Sequence, residues 1–357
     1  MIKNSYHIIG VMSGTSLDGV DLAEITFEKN IDHWSFKIHQ AETVAYTDEW
    51  VDRLKKGINL GTFPLAQLNH EYTELLAGII QNFTTKFQIE NIDAVCSHGH
   101  TIKHEPQKSY TLQIGNLPLI AEILKQKVVC DFRVQDVELG GQGAPLVPIG
   151  DELLFSTYDF CLNLGGFSNV SFNEDNKRIA FDICPINTVL NYLANQINLP
   201  FDKGGEIAKT GMIDQDLLYE LNAITYYKKH PPKSLGVEFL TDTFYPILNR
   251  YQLSIPDAMR TCVAHFSDQL SFVLNKSNTQ VLCTGGGAYH HFLMDELQQK
   301  LSETKLIIPD DFLIQFKEAL IFGFLGVLRL RNEVNVLVSV TGASKDHSSG
   351  VVYFKNS

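Results

Sequence analysis

No CxxC pair, no GxxxxGK[ST] loop and no GxGxxG fingerprint occurs in this sequence. The first absence removes zinc ribbons and thioredoxin-like redox sites. The other two remove the Walker and Rossmann ways of holding phosphate. Cysteine is sparse: Cys96, Cys130, Cys161, Cys184, Cys262 and Cys283 are scattered, mostly inside apolar runs. They read as reduced, buried thiols and point to the cytoplasm. Met1 to Tyr6 carries no signal-peptide core and runs straight into an apolar strand. The longest apolar helical stretch, near Ala319 to Leu330, is too short to span a bilayer, so no membrane partner is expected. Lysine and arginine number 29 against 41 aspartates and glutamates, a net charge of −12 without a basic stripe, which argues against a nucleic-acid partner.

What is present is an α/β pattern. The 357 residues suffice for two domains with sizeable cores. Apolar runs at 7–9, 22–27, 34–38, 94–98, 109–114 and 128–132 predict strands, and helical spacing appears near 47–56, 65–87 and 117–125. Alternating strands and helices predict a mainly parallel sheet covered on both faces. Leu139 to Pro145 is dense in glycine and proline and marks a turn or hinge. A second strand-turn-strand unit then starts at Phe160, followed by helical stretches near 187–194 and 257–275. The expected division is residues 1–130 plus 340–357 for one lobe and 131–339 for the other.

Three strand-to-glycine turns carry the chemical signal. The first is Gly10 to Asp21, in which Gly14, Thr15, Ser16, Leu17, Asp18 and Gly19 offer backbone N–H groups and hydroxyls to phosphate oxygens. Ser13 adds another hydroxyl. Asp18 and Asp21 suit a hydrated Mg²⁺ beside those phosphates. The second turn is Gly165-Gly166, and the third is Gly285-Gly286-Gly287 before a helical stretch. Together they fit a two-lobed nucleotide clamp. The first two turns would grip phosphates, and the third would lie under the adenosine, where a side chain would block the base. The plain alternative for the first is an ordinary hairpin turn whose glycines serve only positive φ.

Phosphoryl transfer also needs a carboxylate to take a proton from the nucleophile. Asp182 ends the apolar stretch Ile179-Ala180-Phe181 shortly before a proline, so it is expected to project into the cleft rather than pair in the sheet. Its other reading is a helix cap or turn residue. Asp131 and Asp136 are rival carboxylates, and Arg133 can neutralise either. His98 can contact substrate, Asn187 opens a helix and can orient substrate, and Glu318 either faces substrate or favours a helix start through the dipole. Lys233, in Pro231-Pro232-Lys233-Ser234, reads as a solvated charge or as part of a substrate loop.

These residues resemble the anhydro-N-acetylmuramic acid kinases of the sugar kinase, hsp70 and actin superfamily. The resemblance runs nearly end to end, through Met12 to Asp21, Ser97 to Pro106, Asp131 to Pro148, Leu162 to Val170, Phe181 to Asn187, Thr284 to Ala288, Lys317 to Ala319 and Thr341 to Ala343. It implies two actin-like (ribonuclease H-like) lobes with an interlobe nucleotide cleft. It also implies ATP and Mg²⁺ as cofactors, an amino sugar as substrate, and a homodimer. The implied reaction phosphorylates O6 of 1,6-anhydro-N-acetylmuramic acid while water opens the bridge at C1. Asp182 falls on the family's FDxGPGN carboxylate, which deprotonates that water, and Glu318 aligns with an acidic residue near the sugar. Cys184 and Ile186 stand where glycines are usual, Val237 where arginine is, and His290 where asparagine is common. A plain sugar kinase and a non-catalytic ATP sensor are the competing readings.

Overall fold

The computed structural model describes residues 2–14, 16–31 and 33–354. The chain divides into two compact units, residues 1–154 with 316–357, and residues 155–315. In chain order the strands are β1 (Ser5–Ser13), β2 (Gly19–Lys29), β3 (Trp34–Ala45), β4 (Ala94–Glu105), β5 (Tyr110–Ile114), β6 (Val128–Cys130), β7 (Phe160–Leu164), β8 (Phe167–Glu174), β9 (Lys177–Pro185), β10 (Thr279–Thr284), β11 (Thr304–Ile307) and β12 (Val351–Tyr353).

In the first unit the sheet runs β12-β6-β4-β1-β2-β3, and β5 pairs with the far part of β4. β1, β2 and β3 form an antiparallel meander, while β4 lies parallel to β1 and β6 parallel to β4. In the second unit the order is β11-β10-β7-β8-β9, with a meander of β7, β8 and β9 followed by parallel β10 and β11. Setting aside β5 and β12, both sheets have the order third, second, first, fourth, fifth. That order is the actin-like, ribonuclease H-like arrangement, and the chain contains it twice. Parallel neighbours need crossovers. These are supplied by helices such as Thr62–Lys86 before β4, Ile255–Leu274 before β10 and His291–Lys300 before β11.

Each unit has its own core. In the first, Val11, Leu22, Leu68, Tyr72, Leu76 and Phe83 pack between sheet and helices. In the second, Leu162, Val170, Ile183, Leu190, Val263 and Phe266 do so. At about 1.5–3 kcal/mol per fully buried large side chain, either core outweighs any single polar contact described below. All six cysteines are free and buried. Among the described residues, no helix is long and apolar enough to cross a membrane.

The helix Asp311–Arg331 lies against the first sheet along a glycine seam. A β-carbon at Gly10 would sit 2.1 Å from the Ala319 carbonyl oxygen, one at Gly323 2.7 Å from Ile8, and one at Gly326 2.2 Å from the Cys96 sulfur. Each helical glycine sacrifices about 1 kcal/mol of propensity relative to alanine, and close approach to the sheet is what it permits.

The expected boundaries at 130/131 and 339/340 differ from this division. Residues 131–154 and 316–339 belong to the first unit because they pack into it. Buried Asp136 accepts the Gly143 N–H at 2.7 Å and the Thr341 hydroxyl at 2.7 Å. Lys317 pairs with Asp151 at 2.7 Å. The stretch 139–145 is therefore a fastened loop and not a hinge.

Candidate active site

In the second unit, Thr284 on β10 lies opposite Asn163 on parallel β7, so the turns after both strands leave the same edge, the carboxyl ends where α/β sheets bind ligands. The structure brings Gly165, Gly166, Gly285, Gly286, Gly287 and Asn187 together. Gly285 adopts φ +81°, and a β-carbon there would meet Asn163 Oδ1 at 2.5 Å. Gly287 is buried against Leu164, whose carbonyl oxygen would be 2.9 Å from an added β-carbon. Gly286 is exposed, with only the Asn187 amide nitrogen near its missing β-carbon, at 3.6 Å. Asn187 Nδ2 donates to the Leu164 carbonyl at 3.1 Å, and its backbone N–H donates to Gly165. Fastened to one turn in this way, its amide lies beside the other, 3.3 Å from the β-carbon position of Gly287.

Asp182 lies on β9 and pairs with Asn169 of β8, contrary to the expectation that it would leave the sheet. Pairing fixes the backbone, and the side chain leaves one face. It caps no helix: the residue before the helix Asn187–Asn195 is Ile186. The half-buried carboxylate accepts the Leu235 N–H at 2.8 Å. The Tyr226 hydroxyl donates to the Asp182 carbonyl at 2.6 Å, and the Asp182 N–H donates to the Lys233 carbonyl at 3.3 Å. Burial raises the Asp182 pKa, and the Leu235 N–H opposes that rise. Lys233 is no freely solvated charge: its ammonium sits 5.3 Å from the Phe181 ring centre and 4.9 Å from that of Tyr226.

In the first unit, the turn after β1 places exposed Ser16 and Asp18 side by side, with the Ser16 hydroxyl donating to Asp18 at 2.6 Å. Thr15 lies outside the described residues. Leu17 takes φ +62° and turns its side chain onto the core. Gly14 is open, with Ser16 Oγ at 3.3 Å from a β-carbon position. Gly19 has a different reason to be glycine: a β-carbon would lie 2.4 Å from the Val44 carbonyl of β3. Ser13, expected to offer its hydroxyl to phosphate, is buried and engaged by His100 Nδ1 at 2.8 Å and the Tyr46 hydroxyl at 2.6 Å. Tyr46 in turn meets Tyr72 at 2.5 Å. Asp21 accepts from Thr43 at 2.5 Å, and burial raises its pKa, with Asp18 adding to the rise.

His98 is buried, and burial holds its pKa well below the ordinary histidine value. Arg133 Nε–H donates to His98 Nε2 at 2.8 Å, so the ring proton is on Nδ1, which donates to the Gly99 carbonyl at 2.9 Å. Both ring nitrogens are thus used within the protein. Arg133 also donates to the Gly143 carbonyl at 2.6 Å. Burial brings the Arg133 pKa down to about 10 against the charges of Glu318 and Asp136. Glu318 is exposed on its helix, yet desolvation by nearby protein raises its pKa. Asp21 and Asp18 push it the same way, and Arg133 and Lys317 oppose them. Of the rival carboxylates, Asp136 is consumed in fastening 141–143 and Thr341, and Asp131, at φ +63°, is raised to about 6 by burial.

Residues 6–355 match the family model described as anhydro-N-acetylmuramic acid kinase. The chain belongs to the anhydro-N-acetylmuramic acid kinase family. A relative from Clostridioides difficile (strain 630) bearing that name is 32% identical, over 94% of this chain and 95% of the relative. One of the same name from Mannheimia succiniciproducens is 33% identical, over 99% and 100%. Among solved structures, an activator of the 2-hydroxyisocaproyl-CoA dehydratase from Clostridium difficile with bound ADPNP superposes with a TM-score of 0.45 at 13% identity, covering 91% of this chain and 96% of that one. The strand order, and not this likeness, carries the fold.

Within the anhydro-N-acetylmuramic acid kinase family pattern, three of this chain's departures have local settings, at Cys184, Ile186 and His290. Cys184 and Ile186 are fully buried in the core of the second unit, and the Ile186 N–H binds the Gly166 carbonyl of the glycine turn. His290 caps the helix His291–Lys300: its Nδ1 accepts the Leu293 N–H at 3.1 Å, the task an asparagine oxygen performs elsewhere. Nothing in the structure explains the exposed Val237. Sequence patterns missed the Tyr226 and Leu235 contacts to Asp182 and the use of Tyr46 beneath the first turn. None carries a local signal, because each arises from residues far apart in the chain.

Proposed function

We propose that the chain uses ATP to phosphorylate O6 of 1,6-anhydro-N-acetylmuramic acid as water opens the anhydro bridge at C1, releasing N-acetylmuramic acid 6-phosphate and ADP. The observation that carries this reading is the family match along nearly the whole chain, with an aspartate at the catalytic position of its FDxGPGN segment. The plain sugar kinase and the silent sensor are not favoured by that match.

Asp182 takes a proton from water, the water oxygen bonds to C1, the C1–O6 bond breaks, and O6 attacks the γ-phosphorus as ADP leaves. A half-buried carboxylate of raised pKa is a better base than an exposed one. The chemistry parallels an inverting glycosidase in which the phosphoryl group replaces the acid's proton. In this reading Gly14 to Gly19 and Gly165-Gly166 hold phosphates, while Gly285 to Gly287 leave room for adenosine. Glu318 faces the sugar. His98 serves the substrate by setting Arg133, and Asn187 by setting the glycine turns.

Mg²⁺ would be held by Asp18 and Asp21 through water. Among the described residues no group of three or more His, Cys, Asp or Glu side chains can hold a metal ion, so this pair fits a hydrated ion and not a ligand cage. When bound, the ion supplies neutralising charge to the phosphates. A cytoplasmic location, where ATP is supplied, and a homodimer complete the proposal; light scattering of the purified protein tests the second.

The decisive experiment supplies the anhydro-sugar, ATP and ¹⁸O-water. The hydrolysing kinase places label at C1, and a plain kinase leaves none.

A further inference from the structure

We propose that Lys233 is a positioning residue for Asp182: its ammonium, seated over the Phe181 and Tyr226 rings, pins the 231–236 loop so that the Leu235 N–H holds the carboxylate. This rests on Asp182 being the base.

Among the described residues, a handful of contacts hold the loop. Pro231, Pro232 and Ser234 are exposed. Its attachments include the half-buried Leu235 side chain, the Leu235 N–H to the Asp182 carboxylate, the backbone bonds from Asp182 to Lys233 and from Phe239 to Gly236, and the Lys233 ammonium at 5.3 and 4.9 Å from the two ring centres. A cation over ring faces is attracted by their quadrupoles, more so when partly desolvated. Lys233 is partly buried, and burial lowers its pKa. Both rings connect directly to the base. Phe181 precedes Asp182 on β9, and the Tyr226 hydroxyl donates to the Asp182 carbonyl at 2.6 Å. Lys233, Phe181, Tyr226 and Leu235 thus form one clamp that closes on a single carboxylate.

The clamp sets a proton affinity. The Leu235 N–H favours the ionised carboxylate, against burial, which favours the neutral one. The titratable groups beside Asp182 and its loop include Tyr226, Cys184, Lys233 and Glu238, whose carboxylate lies against Gly236. Burial pushes the Tyr226 phenol far up and the Cys184 thiol to about 12, so both stay neutral in the working range and Lys233 is the cation of the clamp. Its effect on Asp182 runs through the loop.

The test measures the pH dependence of kcat/KM for Lys233→Met, Lys233→Arg and Tyr226→Phe, with Asp182→Asn as control and ATP affinity by calorimetry as the check of folding. Asp182 is also titrated by carboxyl NMR in the free protein. Lys233→Met is expected to move the acid limb, and the NMR pKa, up by about 0.5–1 unit, and to lower kcat about 10-fold. Lys233→Arg keeps a cation over the rings and is expected to restore both. An unmoved acid limb and NMR pKa in Lys233→Met, with Asp182→Asn inactive, overturns the clamp alone. Turnover by Asp182→Asn at the wild-type rate overturns the assignment of the base instead.

Discussion

Arg133 donates its Nε–H to Nε2 of His98 across 2.8 Å while its Nη1 donates to the Gly143 carbonyl at 2.6 Å. One guanidinium thus fixes the tautomer of a neutral histidine, holds a glycine loop and counters the charge of Glu318. In Arg133→Gln the acceptors are left unpaired in a partly buried setting. The expected loss is about 2–4 kcal/mol of stability in urea unfolding. The Glu318 carboxyl, no longer opposed by that cation, is expected to titrate higher still by NMR.

Asp182→Asn keeps the shape and the Leu235 contact but removes the base. Turnover is expected to fall by about 10²–10⁴-fold. ATP affinity is expected to stay within a few-fold of wild type, measured by ADP release and calorimetry side by side. Full activity in this variant would refute the role given to Asp182.

Adjacent glycines separate ligand from packing. At Gly286 the β-carbon position is open, so Gly286→Ala is expected to fold normally and lose nucleotide affinity. At Gly287 an added β-carbon meets Leu164 at 2.8 Å, so Gly287→Ala is expected to lower stability by about 1–3 kcal/mol. Thermal unfolding with and without ATP distinguishes the two. Equal loss of stability in both would count against nucleotide contact at Gly286.

Tyr46→Phe removes the hydroxyl between Ser13 and Tyr72 beneath the first glycine turn. The expected result is about 1 kcal/mol of stability lost and a few-fold rise in KM for ATP, with a smaller change in kcat. Steady-state kinetics with ATP varied reads the split.

Acid sensitivity should follow the buried histidines. Burial lowers His100 to about 4 and His265 to about 3, below the unfolded value of 6.5. As pH falls below 6.5 the unfolded chain takes up protons that the native state cannot, so stability declines, by about 1.4 kcal/mol per pH unit for each histidine. Asp131, raised to about 6, works in the opposite direction, so comparison of variants is the cleaner readout. His265→Gln is expected to be less stable than wild type at pH 7, with the gap narrowing by pH 5 in urea titrations.

Much of the fold was legible because periodicity is local. The first strand-turn-strand unit, the helix over 65–87 and the hairpin from Phe160 were all recoverable from apolar spacing, as were the glycine turns. The unit boundary was not, since the Asp136–Thr341 bond joins residues some two hundred positions apart. Lys233 illustrates the same limit. Its charge pointed to solvent, and only tertiary packing sets it over two rings. Gly19 shows another face of that limit: the neighbouring strand by itself requires a glycine there, a packing reason no local pattern displays.

The glycine seam at Gly10, Gly323 and Gly326 has a practical consequence for genetics. These positions touch no proposed reacting group, yet Gly10 abuts the carbonyl of Ala319, the residue next to Glu318. Bulkier replacements there would pry the helix off the sheet and carry Glu318 with it. A random screen for inactive alleles will therefore collect lesions along this seam that mimic catalytic defects, and intact kinetics in a compensating double substitution would unmask them.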